Sequence, residues 1–222
     1  MAFFTFSATG QTVPLDLASE GSLQLLRVKA SAMQYRGKSA VQLTEASAPK
    51  APGPDDPGLL AIVRDSNFED GIIELEIAGK PTSSASQAAR GFVGVAFRVQ
   101  GDGARFEYIY IRPTNGRAED QVRRNHSVQY SSHPDFPWFR LRKEEPEKYE
   151  SYADLEPGEW TKVKVVVSGT KARLYLHGAS QPALIVNDLK LGGGRGRIAL
   201  WLGPEAEGYF ADLRITRGAG QN

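Results

Sequence analysis

The chain has 222 residues with a formal charge of +1, from 27 basic and 26 acidic side chains, and it contains no cysteine. A chain of this length can bury a substantial core without disulfides, and we expect one domain over residues 1–222. The near-zero charge excludes a global field that would attract nucleic acid or an anionic membrane. The lack of cysteine excludes thiol chemistry and leaves the compartment open, with a periplasmic or secreted location slightly favoured.

Hydrophobic runs are short throughout the sequence. Residues 1–11, MAFFTFSATGQ, combine a short apolar stretch with small residues but lack a basic beginning. They fit either a clipped leader or a first strand. No run approaches the roughly 18 apolar residues that a membrane-spanning helix requires, so the sequence predicts a soluble protein without a membrane span.

Alternation of apolar and polar residues predicts β-strands along the chain. In residues 71–78, Ile73, Leu75 and Ile77 alternate with two glutamates. The same period of two predicts strands, in chain order, at 25–29, 40–43, 59–64, 71–78, 91–99, 106–112, 161–168, 172–177, 183–186, 196–202 and 209–216. No segment has a helical pattern.

Glycine and proline mark the connections between these strands. The 23 glycines and 13 prolines cluster at 48–58, 101–103, 156–159 and 191–196. Many short strands separated by such turns predict an all-β fold, a two-sheet antiparallel jelly-roll sandwich. We interpret 48–58 as a surface loop of this one domain, and about 113–160 as a long loop excursion from it.

Four stretches of the sequence resemble the concanavalin A-like lectin/glucanase superfamily. They are FEDGIIELEI (68–77), GFVGVAFRV (91–99), PGEWTKVKVVVSGTKARLYLHG (157–178) and EGYFADLRI (207–215). The resemblance covers residues 60 to 216 and implies a concanavalin A-like jelly roll. It does not imply one function, because lectins, glycosidases, polysaccharide lyases and adhesive modules share this fold.

The segment 105–142 mixes aromatic rings with arginine and amide groups and is poor in aliphatic residues. Rings supply apolar faces for stacking on sugars, and planar donors suit hydroxyls and carboxylates. If Ile109 and Ile111 face the core, the tyrosines that alternate with them line an open, concave face. The predicted substrate-binding residues are Tyr108, Tyr110, Arg112, Arg123, Arg124, Asn125, Trp138 and Trp201.

The leading interpretation is therefore a module that binds an oligosaccharide or polysaccharide, with an acidic ligand as one option. A structural alternative is that the tyrosines only cover the sheet beneath the excursion. A second alternative is an adhesive module that docks another protein. The sequence predicts no nucleic-acid partner and leaves the oligomeric state open.

Catalysis in the same groove is the enzymatic alternative. A lyase would use His126 or Tyr130 as the base, beside arginines that neutralise a uronate. A hydrolase would use an acid such as Glu107 or Asp120. The pair Glu74 and Glu76 lacks the third carboxylate and the middle acid of the Glu-x-Asp-x-Glu strand found in glucanases of this superfamily, so we interpret it as a solvent-facing pair.

Cofactor sites have little support in the sequence. The glycines at 191–197 are followed by a predicted strand, whereas a phosphate-binding loop needs a Lys-Ser/Thr ending and a helix. We expect no cofactor and no metal as the default. A structural calcium held by loop oxygens stays open, with Asp70 or Asp212 as the first ligand to test.

Overall fold

The computed structural model describes residues 12–19, 21–46, 59–101 and 103–218. This part of the chain forms fifteen β-strands, two short α-helices and one 3₁₀ helix at Pro113–Asn115. The strands are β1 Thr12–Pro14, β2 Leu23–Leu26, β3 Val28–Tyr35, β4 Lys38–Glu45, β5 Leu59–Phe68, β6 Gly71–Pro81, β7 Val93–Gln100, β8 Arg105–Ile111, β9 Val128–His133, β10 Glu150–Ser151, β11 Thr161–Ser168, β12 Lys171–Leu176, β13 Leu184–Val186, β14 Gly196–Leu202 and β15 Ala206–Arg217. The helices are α1 Gln121–Asn125 and α2 Trp138–Glu144.

The strands form two antiparallel sheets that pack into a sandwich. The first sheet has the order β13-β12-β11-β6-β15-β4-β3, with β1 added beside β15. The second sheet has the order β10-β9-β8-β7-β14-β5-β2. The predicted all-β, two-sheet fold is confirmed.

Strand alternation places the core between the sheets, as the sequence predicts. Ile73, Leu75 and Ile77 of β6 are buried there, and so are the valines of β11 at positions 163, 165 and 167. Ile109 and Ile111 of β8 enter the same core from the second sheet. One hydrophobic cluster therefore includes both sheets.

The largest difference from the prediction lies in the 113–160 excursion. Two of its segments, β9 and β10, extend the second sheet beyond β8. The expectation of no helix is wrong, because α1 and α2 lie on either side of β9. Asp120 caps α1 by accepting a hydrogen bond from the backbone N–H of Arg123 at 3.0 Å, a local signal typical of a helix start.

A buried arginine joins several turns at one end of the sandwich. Arg98 donates to the carbonyl oxygens of Glu69, Gly169 and Gly192, and it forms an ion pair with Asp70 at 2.8 Å. These bonds satisfy a guanidinium that is almost fully buried.

Within the described residues, no helix is long and apolar enough to cross a membrane. Residues 1–11 and the loop 48–58 lie outside the described part of the chain.

Candidate functional site

The outer face of the second sheet carries an aromatic cluster. The pairing register places Trp201 of β14 beside Gly94 of β7, and Gly94 beside Tyr110 of β8. Because Gly94 has no side chain, the rings of Tyr110 and Trp201 meet above it, with centroids 4.7 Å apart. Tyr108 completes the cluster at 5.3 Å from Trp201 and 5.5 Å from Tyr110.

The predicted orientation of these rings is correct, but the predicted exposure is wrong. Tyr108, Tyr110 and Trp201 lie on the face opposite the core isoleucines, yet they are only 9%, 3% and 7% exposed. The rings cover one another, and Phe92 packs edge-on against Tyr110 at 6.0 Å. Alternation predicts the side of a sheet on which a residue lies, whereas exposure depends on its neighbours. These three residues form a buried floor and leave little ring surface for a ligand.

Polar groups continue the same row of residues toward the edge of the sheet. Tyr110 is in register with Gln129 of β9, and Gln129 is in register with Glu150 of β10. Arg112 lies above them and donates to the Tyr110 hydroxyl at 3.1 Å, to Gln129 at 3.1 Å and to Glu150 at 3.0 Å. We call Tyr110, Arg112, His126, Gln129, Arg142 and Glu150 the Arg112 network.

Glu150 is the anionic centre of this network. Arg142 donates from Nε to Glu150 Oε2 at 2.8 Å and from a terminal nitrogen to Oε1. His126 Nε2 lies 3.7 Å from Glu150 Oε2. Burial acts to raise the pKa of Glu150, but the hydrogen bonds and charges of Arg142 and Arg112 outweigh it and lower this pKa. Glu150 is therefore ionised at neutral pH and is a poor general acid.

Trp138 is an exposed ring beside the network, whose Arg112, Gln129 and Glu150 are buried. Trp138 begins α2 and is 41% exposed. Arg142 follows four residues later on the same helix face, with its guanidinium carbon 4.7 Å from the Trp138 ring centroid. Arg112 lies 5.9 Å from the same centroid. The site thus combines an exposed ring with oriented donors and a carboxylate.

The predicted residues of α1 lie beside this site and not within the network. Arg124 donates to the Tyr152 hydroxyl at 3.0 Å, and Asn125 accepts from Gln121 at 2.7 Å. The Nε of Arg123 is buried and has no hydrogen-bond partner among the described residues. Asp120 is the exposed cap of the helix. Of the predicted binding residues, the structure therefore places Tyr110 and Arg112 in the network and Trp138 beside it, while Tyr108 and Trp201 pack against Tyr110 in the buried floor.

Two of the candidate catalytic residues lie inside the sandwich. Glu107 and Tyr130 are fully buried and joined by a 2.5 Å hydrogen bond from the phenol to the carboxylate. The backbone N–H groups of Leu191 and Lys190 donate to them, which fixes the 189–192 turn. Burial raises the pKa of Glu107. Both residues are sealed from the outer face, so the structure gives no support to the predicted acid and base roles.

The carboxylates of the first sheet lie on its outer face, as interpreted from the sequence. Glu74 and Glu76 line a shallow cleft of about 330 Å³. Lys38 lies 3.4 Å from Glu76 and 3.3 Å from Asp212. Asp70 pairs with Arg98. Among the described residues, no group of three potential ligands converges as a metal site would require.

Sequence reasoning missed Glu150, Gln129 and Arg142 as site residues. Glu150 lies 38 positions from Arg112 along the chain, so no local pattern connects the two side chains. The spacing of Trp138 and Arg142 would have indicated one helix face, had α2 been predicted. Gln129 alternates with core residues Val128 and Tyr130, which is a usable signal for the outer face.

The fold is similar to several solved structures at low sequence identity. A carbohydrate-binding module, CBM66 from Bacillus subtilis, matches with a TM-score of 0.58 and 11% identity over 95% of this chain and 99% of that one. A Bacillus subtilis protein of unknown function with a galectin-like fold matches with a TM-score of 0.53 and 10% identity over 86% and 88%. The Crh5 transglycosylase matches with a TM-score of 0.52 and 10% identity over 97% and 88%.

At the sequence level, no protein-family model matches the chain, and a search of curated proteins finds no significant match. Identities of 10% and 11% show the fold alone and assign no specific family. The strand order, the shared core and these structural matches agree with the resemblance seen in the sequence. The chain has the concanavalin A-like jelly-roll fold.

Proposed function

We propose that the protein binds carbohydrate at the surface formed by Trp138 and the Arg112 network. The observation that carries this proposal is the exposed indole of Trp138 beside two guanidinium groups that share one carboxylate. A sugar has an apolar face that stacks on an aromatic ring and a rim of hydroxyls that needs oriented donors and acceptors. The site supplies both within one patch.

The rigidity of the network supports binding. Four of the groups that hold Arg112, namely the His126 carbonyl, Glu150, the Tyr110 hydroxyl and Gln129, fix its guanidinium plane. Oriented groups lose little entropy when a ligand arrives, which favours affinity. The fold is also similar to that of a carbohydrate-binding module and of a transglycosylase, although that likeness by itself assigns no function.

The test is affinity electrophoresis of the wild type and Trp138→Ala in gels that contain neutral or acidic polysaccharides. We expect at least one polysaccharide to retard the wild type, and Trp138→Ala to weaken that binding by about tenfold, which corresponds to about 1.4 kcal/mol. Ile185→Ala is the control, because Ile185 is 48% exposed and lies on β13 in the other sheet. Equal retardation of Trp138→Ala and the wild type would place the ligand elsewhere.

A second candidate function is β-elimination of a uronate-containing polysaccharide with His126 as the base. One arrangement favours it: His126 lies in the network with Nε2 3.7 Å from Glu150, and burial and the charges of Arg142 and Arg112 lower the pKa of His126 against the opposing charge of Glu150. A neutral imidazole beside Arg142 and Arg112 is able to accept a proton next to a neutralised carboxylate. The readout is the absorbance of unsaturated ends. No increase with the wild type, or an equal increase with His126→Gln, would exclude this mechanism.

A further inference from the structure

We infer that the glycan bound at this site carries an oxyanion, either a carboxylate or a sulfate ester, which is received by Arg90 and Arg123 beside the Arg112 network. The inference rests on the proposed function and names the class of carbohydrate. It depends on the charge balance of the patch, on unpartnered polar atoms there and on the backbone contacts that hold its segments together.

The charges around the network do not balance. Arg112 and Arg142 share the single carboxylate of Glu150. Arg90 and Arg123 form no ion pair with any described residue. One terminal nitrogen of Arg90 donates to the carbonyl oxygens of Gln87 and Ala89, which supply no negative charge. Among the described residues, the patch therefore has four guanidinium groups and one carboxylate that forms ion pairs with any of them, while the carboxylate of Asp120 accepts from the backbone N–H of Arg123.

The positive charges around Arg90 affect the pKa of its guanidinium group. Burial lowers the pKa of Arg90, and the charges of Arg123 and then Arg112 lower it further. An arginine in a protein keeps its proton, so this lowered pKa expresses like-charge repulsion and lost hydration. A bound oxyanion would relieve both effects.

The backbone joins Arg90 to the Arg112 network. The N–H of Thr114, in the 3₁₀ helix, donates to the carbonyl of Arg90 at 3.4 Å. Asn115 in the same helix donates to the carbonyl of His126 at 3.1 Å, the oxygen that also accepts from Arg112. Three segments of the chain, the loop before β7, the 3₁₀ helix and the end of α1, are thus held at one place.

Unpartnered polar atoms in these segments match a sugar that carries an acid group. Arg123 Nε is a buried donor with no partner among the described residues, which suits an oxyanion. Asn115 Oδ1 and Thr114 Oγ1 are buried and equally unpartnered within the described part of the chain. They are able to accept from hydroxyl groups, which a sugar carries. Buried groups of this kind normally find a partner.

The test measures binding of the full chain to polygalacturonate, to its carboxyl-reduced neutral form, to dextran and to dextran sulfate, by affinity electrophoresis and titration calorimetry. The variant is Arg90→Gln/Arg123→Gln. We expect the acidic polymer to bind at least tenfold more tightly than its neutral counterpart, and the variant to lose that difference. The difference in affinity between the acidic and the neutral polymer should also fall as the salt concentration is raised, because exposed charges are screened.

The matched control is Lys164→Gln/Arg214→Gln, which removes the same charge from the outer face of the first sheet. An equal loss in the control would indicate a general charge effect and overturn the site. Preference for dextran sulfate over polygalacturonate would identify the oxyanion as a sulfate ester, and the reverse as a carboxylate. Thermal unfolding of each variant checks that the fold is retained.

The outcomes separate this inference from the proposed function. If neutral and acidic polymers bind equally and Trp138→Ala weakens both, carbohydrate binding holds and the oxyanion inference fails. If Arg90→Gln/Arg123→Gln binds the acidic polymer as the wild type does, the inference also fails. If neither type of polymer binds, both proposals fail.

Discussion

The carboxylate of Glu150 lies between two guanidinium groups, and its side chain is 3% exposed while that of Arg112 is 7% exposed. Replacement by glutamine would leave Arg112 buried without its counter-charge. Loss of one partner of a buried ion pair costs about 3 kcal/mol of unfolding free energy. We expect Glu150→Gln to lower stability by about that amount, measured by urea denaturation at neutral pH.

The lowered pKa of Glu150 also predicts that the free energy of unfolding decreases in acid. The folded-state pKa of Glu150 lies below its ordinary value of 4.5, so its stabilising contribution is present above that value. The contribution is lost as pH falls through the folded pKa, because the unfolded state then binds the proton more readily. Glu150→Gln should therefore flatten the loss of stability in acid. The control is Glu159→Gln, whose partner Arg36 is half exposed and whose ion pair contributes less than about 1 kcal/mol. Equal losses in both variants would contradict the prediction.

At the scale of the elements, β7 has one position that only glycine can occupy without movement. A Cβ on Gly94 would lie 2.4 Å from the carbonyl oxygen of Ile109 and 2.6 Å from the Cβ of Tyr110. The strand β8 would have to shift away from β7, which disturbs the floor under Arg112. Overpacking of this kind costs about 1–3 kcal/mol.

We therefore expect Gly94→Ala to lower the urea midpoint and to weaken carbohydrate binding together. Gly193→Ala is the control, since a Cβ at Gly193 meets no atom within 4 Å. Glycine-to-alanine exchange at an open position changes stability little or raises it slightly. A Gly94→Ala protein as stable as Gly193→Ala would show that the two strands adjust without cost.

A comparison of predicted and observed strands and helices shows which elements the sequence predicts. Strands with a core on one face are predicted well, because a period of two identifies their buried side, and the bounds of β11 and β14 match the prediction. The strand β9 was missed because its outer face carries the buried polar residues Gln129 and Ser131, and its inner face carries Ser132. The short helices α1 and α2 have too few turns for a periodic signal.

For the candidate site too, the sequence predicts some residues and misses others. Arg112 and Trp138 were predicted from residue type, because an arginine and an aromatic residue outside the core suggest recognition. Glu150, the carboxylate that pairs with Arg112, was not predicted, since this contact depends on how β10 pairs with β9. The burial of Tyr108 and Trp201 likewise depends on packing between strands that are distant in sequence. Sequence patterns predict elements, and the pairing of those elements creates the site.

At the scale of the whole molecule, the two sheets have different outer faces. On the first sheet, Glu74 of β6 is in register with Lys164 on one side and Arg214 on the other, so charges alternate across the strands. On the second sheet, rings and small residues lie on the outer face and arginines at its edge. A face of alternating charges remains hydrated at low cost, whereas an exposed ring beside oriented donors favours a ligand. We therefore expect glycan binding on the second sheet.

A single hydrophobic cluster contains residues of both sheets, and this predicts that they unfold as one domain. Two tryptophans report on the sheets separately. Trp201 belongs to β14 of the second sheet, while Trp160 precedes β11 of the first and packs edge-on against Tyr35 of β3 at 5.6 Å. One variant keeps only Trp201, and a second keeps only Trp160, with phenylalanine at the other tryptophan positions.

Within each variant, the urea midpoint from tryptophan fluorescence should coincide with the midpoint from far-UV circular dichroism. The comparison is made inside one protein, because the substitutions change the absolute stability of each variant differently. Separate domains would instead give a fluorescence transition that precedes or follows the loss of β-structure in at least one variant. Coincidence in both variants is expected, since neither sheet can bury its inner face without the other.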